Sequence, residues 1–212
     1  MIIETLPVGP LQCNCSILVD EATRKAIVID PGGDFEKIKA RLEKAGAEVS
    51  AIVHTHTHID HVGATAPLQR LTSARASIHE ADRPLYELLP VQAQMLGIPL
   101  PEICELEGDL TDDLVIRAGG IELAVLHTPG HTPGSVSFLV RGDGEAVAFT
   151  GDTLFRRGIG RTDLWGGDSD LILRSLKNRL MTLEENTQVI SGHGPMTTIG
   201  DEKRANPFLR VA

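Results

Sequence analysis

The chain has 212 residues, 42% hydrophobic and 23% charged, a globular composition that excludes a disordered or fibrous protein. Twenty basic against 29 acidic residues leave a formal charge of −9 at pH 7. That balance argues against a general nucleic-acid or anionic-membrane binder, whose footprint is a basic face, but leaves room for a small basic pocket.

The opening Met1-Ile2-Ile3-Glu4 lacks the basic and apolar regions of a signal peptide. No apolar run approaches the ~18 residues of a membrane span, so a soluble cytoplasmic protein is expected. Residues 2–30 read as strands broken by turns, with β-rich runs at Ile17-Leu18-Val19 and Ala26-Ile27-Val28-Ile29. Cys13 and Cys15 share one face of a strand. With Cys104 they make an odd number, which precludes a full disulfide framework and points to packed thiols in a reducing compartment. Asp30-Pro31-Gly32-Gly33 is a strong turn signal. Residues 34–45 have helical spacing, with Phe35, Ile38, Leu42 and Ala45 on one face and Gly46 as a stop.

Val49 to Val53 reads as a short buried strand, and a cluster of histidines begins where it ends. A helix is expected from 62 to 72. The segment 80–100 reads as helical, then irregular around Pro90, Pro99 and Pro101. Strands follow at 113–117, 121–126, 135–140 and 145–150, the last two flanking the turn Gly142-Asp143-Gly144. Between them His127-Thr128-Pro129-Gly130 is repeated at once as His131-Thr132-Pro133-Gly134, a tight loop that presents one or both histidines. A helix from 168 to 181 carries Leu171, Leu173, Leu176 and Leu180 in its apolar set. A last strand, Gln188-Val189-Ile190, ends at Ser191-Gly192-His193-Gly194-Pro195. No linker or charge block interrupts the chain, so one α/β or layered α+β domain over residues 1–212 is expected.

Four of the eight histidines fall within His54-Thr55-His56-Thr57-His58-Ile59-Asp60-His61. In extended chain alternate residues share a face, so His56 and His58 converge on one point. If a helix starts near Asp60, the residues that follow turn away and serve a second point. Neutral imidazole and carboxylate suit Zn²⁺, Fe or Mn²⁺ rather than Ca²⁺ or a thiolate-bound cluster. The plain alternative is a polar loop with coincidental histidines. Packing alone explains four of them poorly, because each buried imidazole needs partners. Further candidates recur at strand ends: His127 or His131, then Asp152, then His193.

These residues resemble the metallo-β-lactamase superfamily, through His56-x-His58-x-Asp60-His61, then His131, Asp152 and His193. Within it the chain resembles the short glyoxalase II (hydroxyacylglutathione hydrolase) type. The motifs are Asp30-Pro31-Gly32, the Thr128–Gly134 loop, Gly151-Asp152-Thr153-Leu154-Phe155, Gly192-His193-Gly194-Pro195 and Asn206-Pro207-Phe208-Leu209. The resemblance implies a four-layer αββα sandwich with the metal site along one edge. It implies one divalent ion held by His56, His58 and His131, a second held by Asp60, His61 and His193, and Asp152 bridging them. Zinc comes first, with iron or manganese also accepted by such ligands. The resemblance selects His131 over His127; His54 lies outside the motif and reads as a residue that supports the ligands or the structure, and Asp30 is a candidate partner that fixes the imidazole tautomers.

The implied activity is hydrolysis of a thioester such as S-D-lactoylglutathione by a metal-bridging hydroxide, with Asp60 and Asp152 as the catalytic carboxylates. No protein nucleophile is required, and the chain has no Gly-x-Ser-x-Gly elbow. Arg156, Arg157 and Arg161 form a basic stretch suited to the carboxylates of a glutathione moiety, or else a solvated loop of surface ion pairs. Asp163 stands where longer glyoxalases have a tyrosine, and only Met196 to Ala205 separate Pro195 from Asn206, where they insert a helical region. A more open, less glutathione-selective site follows. The competing enzyme class is a mononuclear-iron glutathione persulfide dioxygenase, which Gly160-Arg161-Thr162-Asp163 also resembles. The second ligand set, above all His193, favours the hydrolase. A lactonase or β-lactamase would share the attack and differ in the pocket. A nuclease would want a basic face, and a metal-stabilised binding protein would want a closed four-ligand site. The expected partner is a small molecule, not nucleic acid or membrane, and the oligomeric state is left open.

Overall fold

Short apolar runs punctuated by Gly, Asp and Pro build one sheet from the N-terminal half. In the computed structural model, which describes residues 1–142 and 144–209, its strands are β1 (Ile2–Val8), β2 (Cys13–Val19), β3 (Lys25–Ile29), β4 (Glu48–Val53) and β5 (Arg75–Ser77), side by side in that order. The pairs β1–β2 and β2–β3 are antiparallel, whereas β3–β4 and β4–β5 are parallel. Parallel neighbours need crossovers. These are α1 (Phe35–Ala45) and then the short α2 (Ile59–Val62) with α3 (Thr65–Thr72). The parallel pairing puts the carboxyl ends of β3 and β4 at one edge of the sheet. Asp30 therefore arrives beside His54, with the Asp30 N–H donating to the Val53 carbonyl at 3.0 Å. Open α/β sheets place their chemistry at that edge.

This unit comprises Met1–Asp109 and Arg117–Ile121. Helix α1 turns Ile38 and Leu42 into its core and stops at Gly46, whose φ of 59° favours glycine. Cys13 and Cys15 are free and fully buried among Ile17, Val28 and Ile52.

Two expectations need correction here. The helix expected from 62 is broken at Gly63-Ala64. There the Ala64 N–H donates to the Pro31 carbonyl at 2.8 Å, and a Cβ on residue 63 would lie 2.4 Å from the Gly32 oxygen. Pro90 does not disturb the 80–100 segment. A 3₁₀ turn (Glu80–Asp82) leads into α4 (Arg83–Glu87) and α5 (Leu89–Leu96), and Pro90 sits in the first turn of α5, where its missing N–H has no helical partner to lose. Pro99 and Pro101 do lie in irregular chain, after Gly97 ends α5.

The second unit comprises Leu110–Ile116 and Glu122–Ala212 as far as described. The remaining elements along the chain are β6 (Val115–Ala118), β7 (Ile121–His127), β8 (Val136–Arg141), β9 (Ala146–Gly151), the hairpin β10 (Leu154–Phe155) and β11 (Gly158–Ile159), α6 (Ser169–Ser175), β12 (Gln188–Ser191), β13 (Thr197–Thr198) and α7 (Ile199–Ala205). Six strands form a sheet in the order β13-β12-β9-β8-β7-β6. Of the expected turn Gly142-Asp143-Gly144 between β8 and β9, Asp143 lies outside the described residues.

Strand β8 is antiparallel to both β7 and β9, and β9 is parallel to β12. The carboxyl ends of β7, β9 and β12 thus share one edge, which delivers the His131 loop, Asp152 and His193 together. The helix expected over 168–181 is α6 followed by a π-helical turn at Leu176–Leu180. Asp168 caps it by accepting the Leu171 N–H at 2.8 Å. Its fully buried line is Ile172, Leu176 and Leu180, spaced by four, not Leu171 and Leu173.

The Asn206-Pro207-Phe208-Leu209 motif closes this unit through Glu202, which is fully buried on α7. The Glu202 carboxylate accepts from the Arg157 N–H at 2.8 Å, the Arg157 guanidinium at 2.6 Å, the Thr197 hydroxyl at 2.6 Å and the Asn206 amide at 2.9 Å. The same amide donates to the Gly158 carbonyl at 3.0 Å, so α7 holds the β10–β11 hairpin. Glu202→Ala is expected to lower stability by about 2 kcal/mol in urea unfolding followed by circular dichroism, because one buried and two part-buried donors lose their acceptor while the half-exposed guanidinium regains water. A loss below about 1 kcal/mol would contradict that account of the clasp. Among the described residues no helix is long and apolar enough to cross a membrane.

Candidate metal centre

In the first unit the chain leaves β4 extended, and side chains alternate. Thr55 and Thr57 are buried on one side, and His56 and His58 face the other. The His56 Nε2 and His58 Nδ1 atoms are 3.0 Å apart. Two nitrogens bound to one tetrahedral ion at ~2.0–2.1 Å stand roughly 3.3 Å apart, so the pair lies within a few tenths of an ångström of chelation.

Asp30 dictates which ring nitrogens carry protons. It is buried, sits at φ 49°, and its carboxylate is acceptor-only when ionised. Oδ1 accepts the Thr55 N–H at 2.7 Å, and Oδ2 accepts the Thr55 hydroxyl at 2.7 Å. With its proton so committed, the Thr55 oxygen accepts from His56 Nδ1–H at 3.1 Å, and the lone pair on His56 Nε2 is left toward His58. Asp30 Oδ2 also accepts His61 Nδ1–H at 3.1 Å, which leaves His61 Nε2 toward the Asp60 carboxylate, 3.7 Å away. One carboxylate therefore orients two imidazoles, one directly and one through a hydroxyl.

Burial opposes a charged His61, but Cys13, Asp60 and Asp30 outweigh it and raise its pKa well above the ordinary imidazole value. The place favours positive charge. Burial pushes the neighbouring Cys13 thiol up to about 12, so it stays protonated and is no nucleophile at neutral pH. His54 is tied on both ring nitrogens, to the Ser77 carbonyl at 3.1 Å and the Thr65 hydroxyl at 2.8 Å, and burial lowers its pKa.

In the second unit His131 Nδ1–H donates to the Arg161 carbonyl at 2.8 Å, and its Nε2 lies 3.7 Å from Asp152 Oδ2. His193 Nε2 lies 3.8 Å from the other oxygen, Oδ1. Asp152 thus offers one oxygen to each imidazole, the arrangement of a bridging carboxylate. The other histidine of the repeat, His127, directs its Nε2 to the Pro133 carbonyl at 3.1 Å. Gly160 permits the close approach, because a Cβ there would lie 1.8 Å from the Asp152 carbonyl oxygen and 3.1 Å from His131 Nδ1. If Asp152 and His131 hold zinc, Gly160→Ala is expected to weaken its binding about 10–100-fold in chelator competition, by displacing both candidate donors together. Unchanged affinity would show that the backbone here yields without moving Asp152.

The three arginines do not gather at these donors. The Arg161 guanidinium forks onto Asp163 at 2.7 and 2.8 Å, which raises its own pKa and holds the Asp163 carboxyl down at about 2. Arg157 is held by Glu202. Arg156 is exposed and lines, with Arg157, Gln188 and Thr197, a cleft of about 530 Å³ whose walls include none of His131, Asp152 and His193. Sequence reasoning missed the roles of Thr55, Gly160 and the Arg161 carbonyl. Only the threonines left a trace, by alternating with the histidines.

Three imidazoles and a carboxylate in one unit, and two imidazoles and a carboxylate in the other, are a donor chemistry that fits zinc, iron or manganese. Comparison with known proteins agrees. A family model described as the metallo-beta-lactamase superfamily matches residues 8–193. Hydroxyacylglutathione hydrolase GloC of Haemophilus influenzae is 40% identical, over 99% of this chain and 98% of its own. The crystal structure of BLEG-1 B3 metallo-beta-lactamase is similar with a TM-score of 0.90 and 38% identity, over 98% of this chain and 99% of that one. The structure of TTHA1623 in a di-iron-bound form gives 0.84 and 39%, over 97% and 100%.

Proposed function

The chain belongs to the metallo-β-lactamase superfamily and has its fold, and from that premise we propose that it hydrolyses a glutathione thioester such as S-D-lactoylglutathione. The observation that carries the substrate class is the near full-length likeness to a hydroxyacylglutathione hydrolase. The proposed ligands are His56, His58 and His131 for one ion, and Asp60, His61 and His193 for a second, with Asp152 shared. Zinc is the first choice, and iron or manganese suit the same donors.

Divalent ions in such a pair lower the pKa of a water toward neutrality and polarise a carbonyl oxygen. The chain's own residues do the rest. Asp30 holds the Nδ1 protons of His56 and His61, directly or through Thr55, so that Nε2 is the nitrogen that binding leaves as donor, and the Arg161 carbonyl does the same for His131. Asp60 accepts a hydrogen bond from the attacking water and aims it. No serine or cysteine nucleophile is needed, in keeping with the protonated state of Cys13. Arg157 and Arg161 are engaged elsewhere, and Arg156 lines a cleft apart from His131, Asp152 and His193, so none of the three is committed to a substrate carboxylate. Glutathione selectivity is accordingly weak. Three free thiols fit a reducing cytoplasm.

The likeness to BLEG-1 favours β-lactam hydrolysis as a second reading. The test is metal quantification alongside a panel of lactoylglutathione, glutathione persulfide, a lactone and a β-lactam. The expected result is two ions per chain and preferential thioester hydrolysis. One iron per chain with oxygen consumption on the persulfide would overturn the proposal, and preferential β-lactam turnover would replace it with the second reading.

A further inference from the structure

We propose that Asp82 and Gln92 are positioning residues that hold the histidine loop in its ligand-presenting conformation from behind. This rests on the reading that His56 and His58 hold metal.

The loop alternates in function as well as in direction. From 55 to 60, positions 56, 58 and 60 carry proposed donors, which His61 joins on the first turn of α2, and positions 55, 57 and 59 are each tied to a buried polar group from a different part of the chain. Thr55 is tied to Asp30, as above. Thr57 is tied twice to Asp82: its N–H donates to Asp82 Oδ2 at 3.1 Å, and its hydroxyl donates to the Asp82 carbonyl at 3.0 Å. The Ile59 N–H donates to Gln92 Oε1 at 2.9 Å. The Gln92 amide is itself oriented, because its Nε2 donates to the Leu85 carbonyl at 2.9 Å, which leaves only the oxygen for Ile59.

The chemistry at Ile59 explains why a glutamine is wanted. Helix α2 begins there, and the first N–H groups of a helix need an outside acceptor. The residue before a helix usually supplies it from its own side chain. Here that residue is His58, which makes no such bond and turns its Nδ1 toward His56 instead. Gln92, the fourth residue of α5, takes over the capping and leaves the imidazole to its ligand role. Asp82 fixes the peptide between the two histidines in the same way. Both side chains are buried, at 0% and 4% exposure, where a polar group is tolerated only if bonded.

The experiment is titration of the metal-free full-length chain with cobalt(II), recording the visible spectrum and the affinity in chelator competition. The variants are Gln92→Leu, Asp82→Ala and the rescue variant Asp82→Asn, with the thermal midpoint of each metal-free protein measured in parallel. Gln92→Leu and Asp82→Ala are expected to weaken cobalt binding about 10–100-fold and to shift the visible bands. Asp82→Asn, whose side-chain oxygen still accepts the Thr57 N–H, should stay close to the parent protein in both. Parent-like affinity and spectrum in Gln92→Leu and Asp82→Ala, with only a lower thermal midpoint, would overturn the proposal and leave a purely structural role. A parent protein that binds no cobalt would overturn the metal reading itself, and this proposal with it.

Discussion

Asp152→Ala is expected to lower kcat/KM on lactoylglutathione by about a thousandfold or more, since it removes the group common to both proposed ions along with the charge stabilisation they give. The geometry makes the prediction specific. The two carboxylate oxygens lie 3.7 and 3.8 Å from His131 Nε2 and His193 Nε2, so no single-oxygen residue can serve both. Metal content by mass spectrometry should fall with activity, while the far-ultraviolet circular dichroism should not change, because Asp152 lies at the end of β9 and not within it. Asp152→Asn keeps the shape and loses the charge, and should fall between the two. Activity within tenfold of the parent, with full metal content, would remove Asp152 from the mechanism.

The second large effect is expected at Asp30, where alanine and asparagine should fail differently. Alanine strips the acceptor from the Thr55 N–H, the Thr55 hydroxyl and His61 Nδ1–H, all buried. A loss of about 3–5 kcal/mol follows, enough to threaten the fold. Asparagine can still accept the Thr55 N–H, but it presents an NH₂ to the hydroxyl and to His61. The hydroxyl must then turn away, and His61 must move its proton to Nε2, where a ligand lone pair is wanted. Asp30→Asn is therefore expected to stay folded, with a thermal midpoint near the parent, and to bind zinc about 10–100-fold more weakly. Calorimetry and chelator competition on one preparation separate the two effects. Equal losses of stability and affinity in the asparagine variant would sink the tautomer argument.

The candidate donors were legible in the chain because they recur where strands end, at His54–His61, Asp152 and His193. The strand runs themselves were legible from short β-branched segments such as Ala26–Ile29. What escaped was whatever depends on a remote segment. The break at Gly63-Ala64 arises because Pro31 and Gly32 approach it. The roles of Asp82 and Gln92 arise because a segment 25 and 33 residues downstream packs behind the loop. Neither leaves a local signature. The arginines escaped for another reason. Their charge was visible, but the pairing of Arg161 with Asp163 and of Arg157 with Glu202 was not.

Arg161 contributes its carbonyl to His131 and keeps its side chain out of that bond. Every residue type carries the same carbonyl, so replacement of this side chain leaves the support of His131 intact. At the neighbouring Gly160 even a methyl group is refused. Adjacent positions thus have opposite tolerances: the side chain can change at 161, where the backbone does the holding, and cannot be added at 160, where the backbone is already in contact.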